Sequence, residues 1–289
     1  MNESAPWQPG TKTESRIVSV QSGVGRFRFD QIATEEPLEI RLIVRGETRT
    51  VAVTMRTPGN DFELAAGFLY AEGVLAERTD VRRISYCIDR SVDSEQRFNI
   101  VNVELTADRW PDLAPLDRHF LTTSACGVCG KASLEALRVR GVPELGAGPA
   151  MEPKMLTLLP LRLREAQGVF DSTGGLHAAA LFDERAELLA IREDVGRHNA
   201  LDKLVGWALL NGRLPFHDRV VMVSGRSSFE ILQKSLAAGV SFVCAISAPS
   251  SLAVALAREF GITLVGFMRD ESFNVYVGEE RVRSRTPVA

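Results

Sequence analysis

Only four cysteines occur in the 289 residues, and they do not form a spaced framework. That excludes a secreted disulfide scaffold, which staples a small core with several bridges. Long apolar runs are missing as well: none approaches the ~20 residues of a membrane-spanning helix, so no membrane association is expected. No sign of charge dominates. Lys and Arg total 34, Asp and Glu 37, and the formal net charge is −3, which removes any global electrostatic case for nucleic acid or an anionic lipid surface. Residues 1–10 lack the basic stretch and apolar segment of a secretory leader. No Gly-x-x-x-x-Gly-Lys loop is present, so ordinary nucleotide hydrolysis has little support. The expectation is a cytoplasmic protein with reduced thiols.

What is present is one close pair of thiols. Thr122-Thr123-Ser124-Ala125-Cys126-Gly127-Val128-Cys129-Gly130-Lys131 sets two cysteines three apart between glycines, whereas Cys87 and Cys244 stand alone in apolar, strand-like runs. A thiol reacts as its thiolate and needs access to a partner atom. Gly127 and Gly130 remove bulk around the pair, and Lys131 with a helix-like 131–140 supplies positive potential that would lower a thiol pKa. Four chemistries compete. Structural zinc needs four ligands, yet no second knuckle exists and the nearest histidine is His119; no metal site is expected. A thioredoxin-like pair should follow a strand in a βαβ unit, but these flanks are polar and loop-like. Thiols that merely fill a turn favour apolar neighbours, which are lacking. A sulfur carrier, holding a persulfide on Cys126 or Cys129, needs an exposed and activated thiol, and the segment offers one.

A chain of this length holds one large or two modest domains. Residues 1–16 are polar and read as the core of a disordered tail ending near 20. Residues 21–115 read as an α+β domain: strands over 38–44 and 48–55, and a helix capped by Asn60 or Asp61 with Leu64, Phe68, Leu69 and Val74 at helical spacing. Further strands fall at 84–88 and 98–105. Residues 116–150 hold the cysteine loop and a Gly/Pro-rich linker. In 151–289 the grammar changes: a helix near 161–170, strands over 176–182 and 188–191, and a helix over 198–210. Strands over 220–223, 242–246 and 262–267 then alternate with helices over 229–238 and 252–260. Such alternation implies parallel pairing through right-handed crossovers, an α/β fold.

In open sheets of this kind, ligands gather beyond the carboxyl ends of the strands. Ser224, Gly225, Arg226, Ser227 and Ser228 follow one strand and enter a helix, a natural anion site with a guanidinium suited to phosphate. Ser247, Ala248, Pro249 and Ser250 repeat the arrangement, and Asp194-Val195-Gly196-Arg197-His198-Asn199 is another polar turn entering a helix. A serine before a helix is often only a cap, but three such turns in one sheet point to a shared pocket for a phosphorylated, nucleotide-containing ligand. His177 follows Gly174 and Gly175, which permit close backbone approach. Glu193 and Asp194 could act as bases, though acids at a helix start are usually caps. A zinc deaminase is disfavoured, because Ala179 stands where its His-x-Glu element needs the acid and no Pro-Cys-x-x-Cys follows.

The motifs together resemble the FdhD family of sulfurtransferases, required for active formate dehydrogenase. The resemblance rests on Thr57-Pro58-Gly59-Asn60-Asp61 with Glu63-Leu64, Gly67-Phe68-Leu69, Cys126-Gly127-Val128-Cys129-Gly130-Lys131, Thr173-Gly174-Gly175-Leu176-His177 and Glu193-Asp194-Val195-Gly196-Arg197-His198-Asn199. Ser224-Gly225-Arg226, Ser228-Phe229-Glu230 and Ser247-Ala248-Pro249 complete it. It implies a three-layer, cytidine-deaminase-like C-terminal domain without zinc, a smaller N-terminal domain, and a homodimer. It further implies that a cysteine desulfurase loads sulfur onto the pair, with Cys126 as persulfide carrier and Cys129 as helper. The sulfur would pass to molybdenum (or tungsten) bis-molybdopterin guanine dinucleotide, bound as substrate and delivered to apo formate dehydrogenase. The family's cofactor-contacting strand end falls on Phe267, Met268, Arg269, Asp270, Glu271 and Ser272. Asp270 and Glu271 depart in sign from what a diphosphate needs, so Phe267 and Arg269 are the stronger contacts. The rival readings are a cofactor-binding chaperone without sulfur transfer and a thiol-disulfide oxidoreductase.

Overall fold

The computed structural model describes residues 10–89, 91–114, 116, 137 and 145–282; Cys126 and Cys129 lie outside them. The described residues open on a hairpin, β1 (Lys12–Gln21) and β2 (Val24–Ala33), that pairs with no other strand among them. The tail expected to reach residue 20 is therefore corrected to strand from Lys12 onward. Two features make it so. Ser22 and Gly23 both take positive φ (49° and 82°), the geometry of a two-residue turn whose twist matches its strands. Arg16↔Phe29 and Val18↔Phe27 then meet as cross-strand pairs, with the Arg16 guanidinium 4.4 Å from the Phe27 ring centroid.

A second sheet follows, in the order β4-β3-β6-β5, from β3 (Glu36–Val44), β4 (Glu47–Arg56), β5 (Val81–Tyr86) and β6 (Ile100–Leu105). Alternate residues Leu38, Ile40, Leu42 and Val44 point to one face and are buried there, as period-two patterning requires. Helix α1 (Asp61–Ala71) covers that face with Leu64, Ala65 and Leu69. Asn60, one of the two residues expected to cap it, precedes it in left-handed conformation and makes no side-chain cap bond. Arg56, fully buried, holds the helix start instead through Asp61 at 3.1 Å, with bonds to Phe98 O and Asn99 Oδ1.

The C-terminal region is a six-stranded mixed sheet between helical layers. Its elements are α2 (Pro153–Ala166), α3 (Gly168–Thr173), β7 (His177–Phe182), β8 (Leu188–Asp194), α4 (Arg197–Leu210), β9 (Val220–Val223), α5 (Phe229–Ala237), β10 (Phe242–Ala245), α6 (Ser251–Phe260), β11 (Thr263–Arg269) and β12 (Ser272–Val277). The spatial order is β12-β11-β10-β9-β7-β8. Strands β9, β10 and β11 are parallel, as the alternation implied, while β7, β8 and β12 run antiparallel to their neighbours. Helices α4, α5 and α6 pack one face against Ala179, Leu181, Val221, Val223, Val243 and Leu264. Leu156, Leu159 and Leu163 of α2 cover the other, against Ala178, Phe182, Met222, Phe242 and Cys244. The single helix expected near 161–170 is two, meeting at Gln167.

Helices α1 and α4 join the two sheets. A Cβ on Gly67 would lie 1.8 Å from Asp202 O, and one on Gly206 1.8 Å from Glu63 O. Only glycine at both positions lets the backbones cross so closely. Arg192 pairs with Glu63 alongside the crossing. Beneath it, the buried Lys234 ammonium sits 2.9 Å from Asp202 and 3.7 Å from Glu72.

Candidate functional site at the strand ends

Sheet register gathers the predicted residues at one edge. His177 opens β7 opposite Asp194, the last residue of β8, and Ala179 pairs with Val223 at the end of β9. Arg269 pairs with Ser272 across the β11–β12 turn. The segments containing Gly174, Arg197, Ser224, Ser247 and the end of β11 therefore emerge together. Two of them are tied directly: Ser250 N donates to Ser227 O at 3.0 Å, and Ser227 bridges Pro249. Phe267 N donates to Ser247 O at 3.2 Å, tying in a third.

Within this edge, some groups are spent on structure and others are not. Ser224 Oγ accepts from Ala178 N at 2.9 Å. Ser228 caps α5 by accepting from Ile231 N, and its Oγ lies 3.2 Å from His198 Nε2. His198 Nε2 is also 2.9 Å from Glu230, which puts a carboxylate beside the first turn of α5. Gly174 is the left-handed C-cap of α3, and a Cβ on Gly175 would rest 3.4 Å from Ala33 Cβ at the hairpin base. In contrast, the Arg197 Nε and the fully buried Ser227 Oγ have no hydrogen-bond partner among the described residues. Arg226 is exposed and forms no ion pair among them. Gly225 packs against His177 and the Arg197 stem: a Cβ there would come 3.3 Å from His177 Nδ1 and 3.6 Å from Arg197 Cδ. Burial first, then the charges of Arg197 and His198, hold the His177 pKa below its ordinary value, partly offset by Asp194. Chemically, a neutral imidazole beside a guanidinium without a partner among the described residues can receive a hydrogen-bonding anion.

The β11–β12 turn completes the rim. Phe267 has φ of 53° and is 41 % exposed, an unusual conformation for a bulky residue and a mark of functional sites. Arg269, Asp270, Glu271 and Ser272 are exposed beside it. Met268 is a correction: only 1 % exposed, its side chain joins Val265 in the core formed with α2, because the bulge between Gly266 and Arg269, with Phe267 at positive φ, breaks the strand's alternation. It can offer backbone groups alone. Ala248 and Pro249 are half-buried in the β10–α6 loop. Cys126 and Cys129 cannot be placed relative to this edge, since they fall outside the described residues. Among the described residues no cluster of three His, Cys, Asp or Glu side chains is arranged to hold a metal ion.

The motif 193–199 also does work that the sequence reading did not find. Glu193 accepts from Val169 N at 3.1 Å and Phe170 N at 2.9 Å, capping α3. Asp194, fully buried, accepts from Thr57 N, Gly196 N and Asn199 Nδ2 and pairs with Lys203 Nζ at 2.7 Å. Lys203 in turn donates to Thr57 O at 2.8 Å, and Val195 N donates to Thr57 Oγ1 at 3.2 Å. Thr57-Pro58-Gly59 of the N-terminal region is thus clamped to the start of α4. The available signal was a helical Lys nine residues after a strand-end carboxylate, too common a pattern to single out.

Comparison with known proteins agrees with the resemblance. Residues 33–283 match the model of the FdhD/NarQ family. A sulfur carrier protein FdhD of Streptomyces coelicolor is 52 % identical over 283 residues, covering 96 % of this chain and 99 % of that protein. The protein of the same description from Mycobacterium tuberculosis is 50 % identical, covering 88 % and 92 %. The one from Sulfurisphaera tokodaii is 44 % identical, covering 92 % and 97 %. A crystal structure from Desulfotalea psychrophila, described as a formate dehydrogenase accessory protein, superposes with a TM-score of 0.72 at 24 % identity, covering 94 % of this chain and all of that one. That likeness establishes the mixed α/β fold.

Proposed function

This chain belongs to the FdhD/NarQ family, and we propose from that premise that it is a sulfur carrier serving formate dehydrogenase maturation. Sulfur arrives as a persulfide on a cysteine desulfurase. The Cys126 thiolate attacks the terminal sulfur, forming a Cys126 persulfide and releasing the desulfurase thiolate, so that no external oxidant is needed. Cys129 assists release. The sulfur passes to the metal of molybdenum (or tungsten) bis-molybdopterin guanine dinucleotide, which is bound as substrate and then delivered to the apoenzyme. The C-terminal sheet is of cytidine-deaminase-like type, and the protein works in the cytoplasm as a homodimer.

The observation that carries the cofactor side of this reading is that Arg197 Nε and Ser227 Oγ, on two loops of the strand-end edge, are both buried and lack partners among the described residues. A buried polar group without a partner costs about 1–3 kcal/mol, so both favour a ligand that supplies the missing acceptor or donor. A diphosphate does so for the guanidinium, with the α5 N-terminus and Arg226 adding positive potential. Asp270, Glu271 and Glu230 repel it, which orients the diphosphate toward β8 and β9 and leaves the Phe267 ring for a flat heterocycle.

The test separates sulfur transfer from binding. The purified protein is incubated with a cysteine desulfurase and cysteine, then digested for mass spectrometry. One added sulfur atom is expected on the peptide containing Cys126. Cys126→Ala should lose this mass and formate dehydrogenase maturation while keeping affinity for guanosine diphosphate, whereas Arg197→Gln should keep the persulfide and lose nucleotide affinity. Normal maturation by Cys126→Ala would leave only a cofactor-binding chaperone. Turnover of a disulfide substrate independent of Arg226 would make it a thiol oxidoreductase.

A further inference from the structure

We propose that the chain carries a second ligand pocket, for a small aromatic anion, at the sheet edge opposite the strand-end loops. The loop from α4 to β9 closes over the far ends of β7 and β8 there, leaving a cavity of about 360 Å³. Ligand sites typically span about 300–1,000 Å³ with mostly apolar walls and a few convergent polar groups, so this volume suits a one- or two-ring molecule and is too small for a dinucleotide. Arg197 and Trp207 stand ten residues apart on α4, about 15 Å along the helix axis, which separates the pocket from the site already described.

The cavity is preformed. Arg213 N donates to Ala208 O at 2.8 Å and Phe216 N to Ala238 O at 2.9 Å, while Asn211 Nδ2 reaches Trp207 O at 2.7 Å. These bonds fix the loop on both sides of Pro215. Trp207, Pro215 and Leu189 offer an apolar wall, and Leu189 is 43 % exposed although it sits in a strand. Arg213 lies over the Trp207 ring, 5.2 Å from its centroid. Arg219 spends one N–H on Asp218 O at 3.0 Å. Neither guanidinium has a carboxylate partner among the described residues. The indole, with Arg192 also over its ring at 5.6 Å, and two guanidinia against the single carboxylate of Asp218 favour a flat apolar body that ends in a carboxylate, sulfonate or phosphate. His217 and Asp218 at the rim can bond a ligand hydroxyl or N–H.

Isothermal titration calorimetry on the full chain with naphthalene-2-sulfonate, inorganic sulfate and 2-naphthalenemethanol tests this. Naphthalene-2-sulfonate should bind saturably at one site per chain, with the other two probes at least about tenfold weaker, since each lacks one half of the recognition. Arg213→Gln/Arg219→Gln should weaken the sulfonate by about tenfold or more, at unchanged melting temperature, because both side chains are exposed. The proposal is overturned by absence of saturable binding at millimolar probe, by equal binding of sulfate alone, or by an unchanged affinity in the double variant. Loss of binding in Arg197→Gln overturns it too, since the probe would then occupy the strand-end edge.

Discussion

Gly67→Ala asks whether helix propensity or backbone contact governs the α1–α4 crossing. Both terms are quantifiable, and they have opposite signs. In an open helix, replacing Gly by Ala stabilises by about 1 kcal/mol. Here the added carbon would stand 1.8 Å from Asp202 O and 2.7 Å from Gly206 N, where ordinary contact begins near 3.4 Å. Both obstacles are backbone, so no side chain can swing aside. The helices must part by more than a bond length, loosening the two hydrophobic clusters that meet through Tyr70 and Leu214. Overpacking of this sort costs about 1–3 kcal/mol, and a site without compliance belongs at or above the upper bound. The net loss is about 2 kcal/mol, which lowers the melting temperature by about 4–8 °C in a chain of this size. Circular dichroism melts of the wild type, Gly67→Ala, Gly206→Ala and the double variant are the assay. The double variant should lose less than the two singles combined, because helices already parted accommodate the second methyl. An equal or higher melting temperature for either single variant would refute the close crossing.

Three further outcomes are expected. Asp194→Asn leaves the Lys203 ammonium buried without its counter-charge, a change that costs about 3–5 kcal/mol; urea denaturation should show it, and Asp194→Asn/Lys203→Met should be less damaged than Asp194→Asn. His177 is held below its ordinary pKa in the folded chain, so as pH falls through that ordinary value the unfolded state takes up a proton the folded state refuses. Stability therefore drops between about pH 7 and pH 5, and His177→Gln should flatten the slope of melting temperature against pH; an unchanged slope counts against the burial of that imidazole. Cys244 is fully buried in β10, and burial pushes its thiol far up. Native alkylation followed by peptide mass mapping should leave it unlabelled until denaturant is added, and prompt labelling would contradict the packed sheet.

How much of this was legible in the sequence depended on what made each element. The residues of β9 were legible to the residue, because Val220–Val223 is an apolar run between a charged turn and a serine-glycine loop. The strand-end loops were legible for the same reason, since chain order and strand parity dictate which loops share an edge. The β1–β2 hairpin was not. Its polar-rich strands bury little, and the deciding feature is a two-residue Ser22-Gly23 turn that composition obscures. Strand β12 was missed because it adds antiparallel at the sheet edge after a two-residue turn, outside the βα alternation. Met268 was misjudged within a motif of otherwise exposed residues, because a bulge between Gly266 and Arg269 turned it inward. The Asp194 clamp joins residues 137 positions apart through Thr57, a contact for which local periodicity carries no signal.

The clamp bears on what Arg197 can do. A carboxylate three residues before a cationic ligand group would ordinarily cancel its field, and sequence alone sets Asp194 and Arg197 side by side. The fold removes that cancellation. Asp194 is neutralised from within by the Lys203 ammonium and by N–H groups of Thr57, Gly196 and Asn199. Glu193 is likewise committed to the α3 amides. Both acids of the motif therefore face inward and are spent, whereas the Arg197 guanidinium keeps an unpartnered Nε in a low-dielectric edge where a charge–charge contact is stronger than in water. It follows that a substitution at Thr57 or Lys203, remote from any ligand, should act on anion affinity as well as on stability: freeing the Asp194 carboxylate gives Arg197 an internal partner that competes with the ligand. Guanosine diphosphate titration of Lys203→Met at a temperature where it remains folded reads this directly. A weaker affinity is expected, and an affinity equal to wild type would mean that the two charges are insulated by more than the clamp.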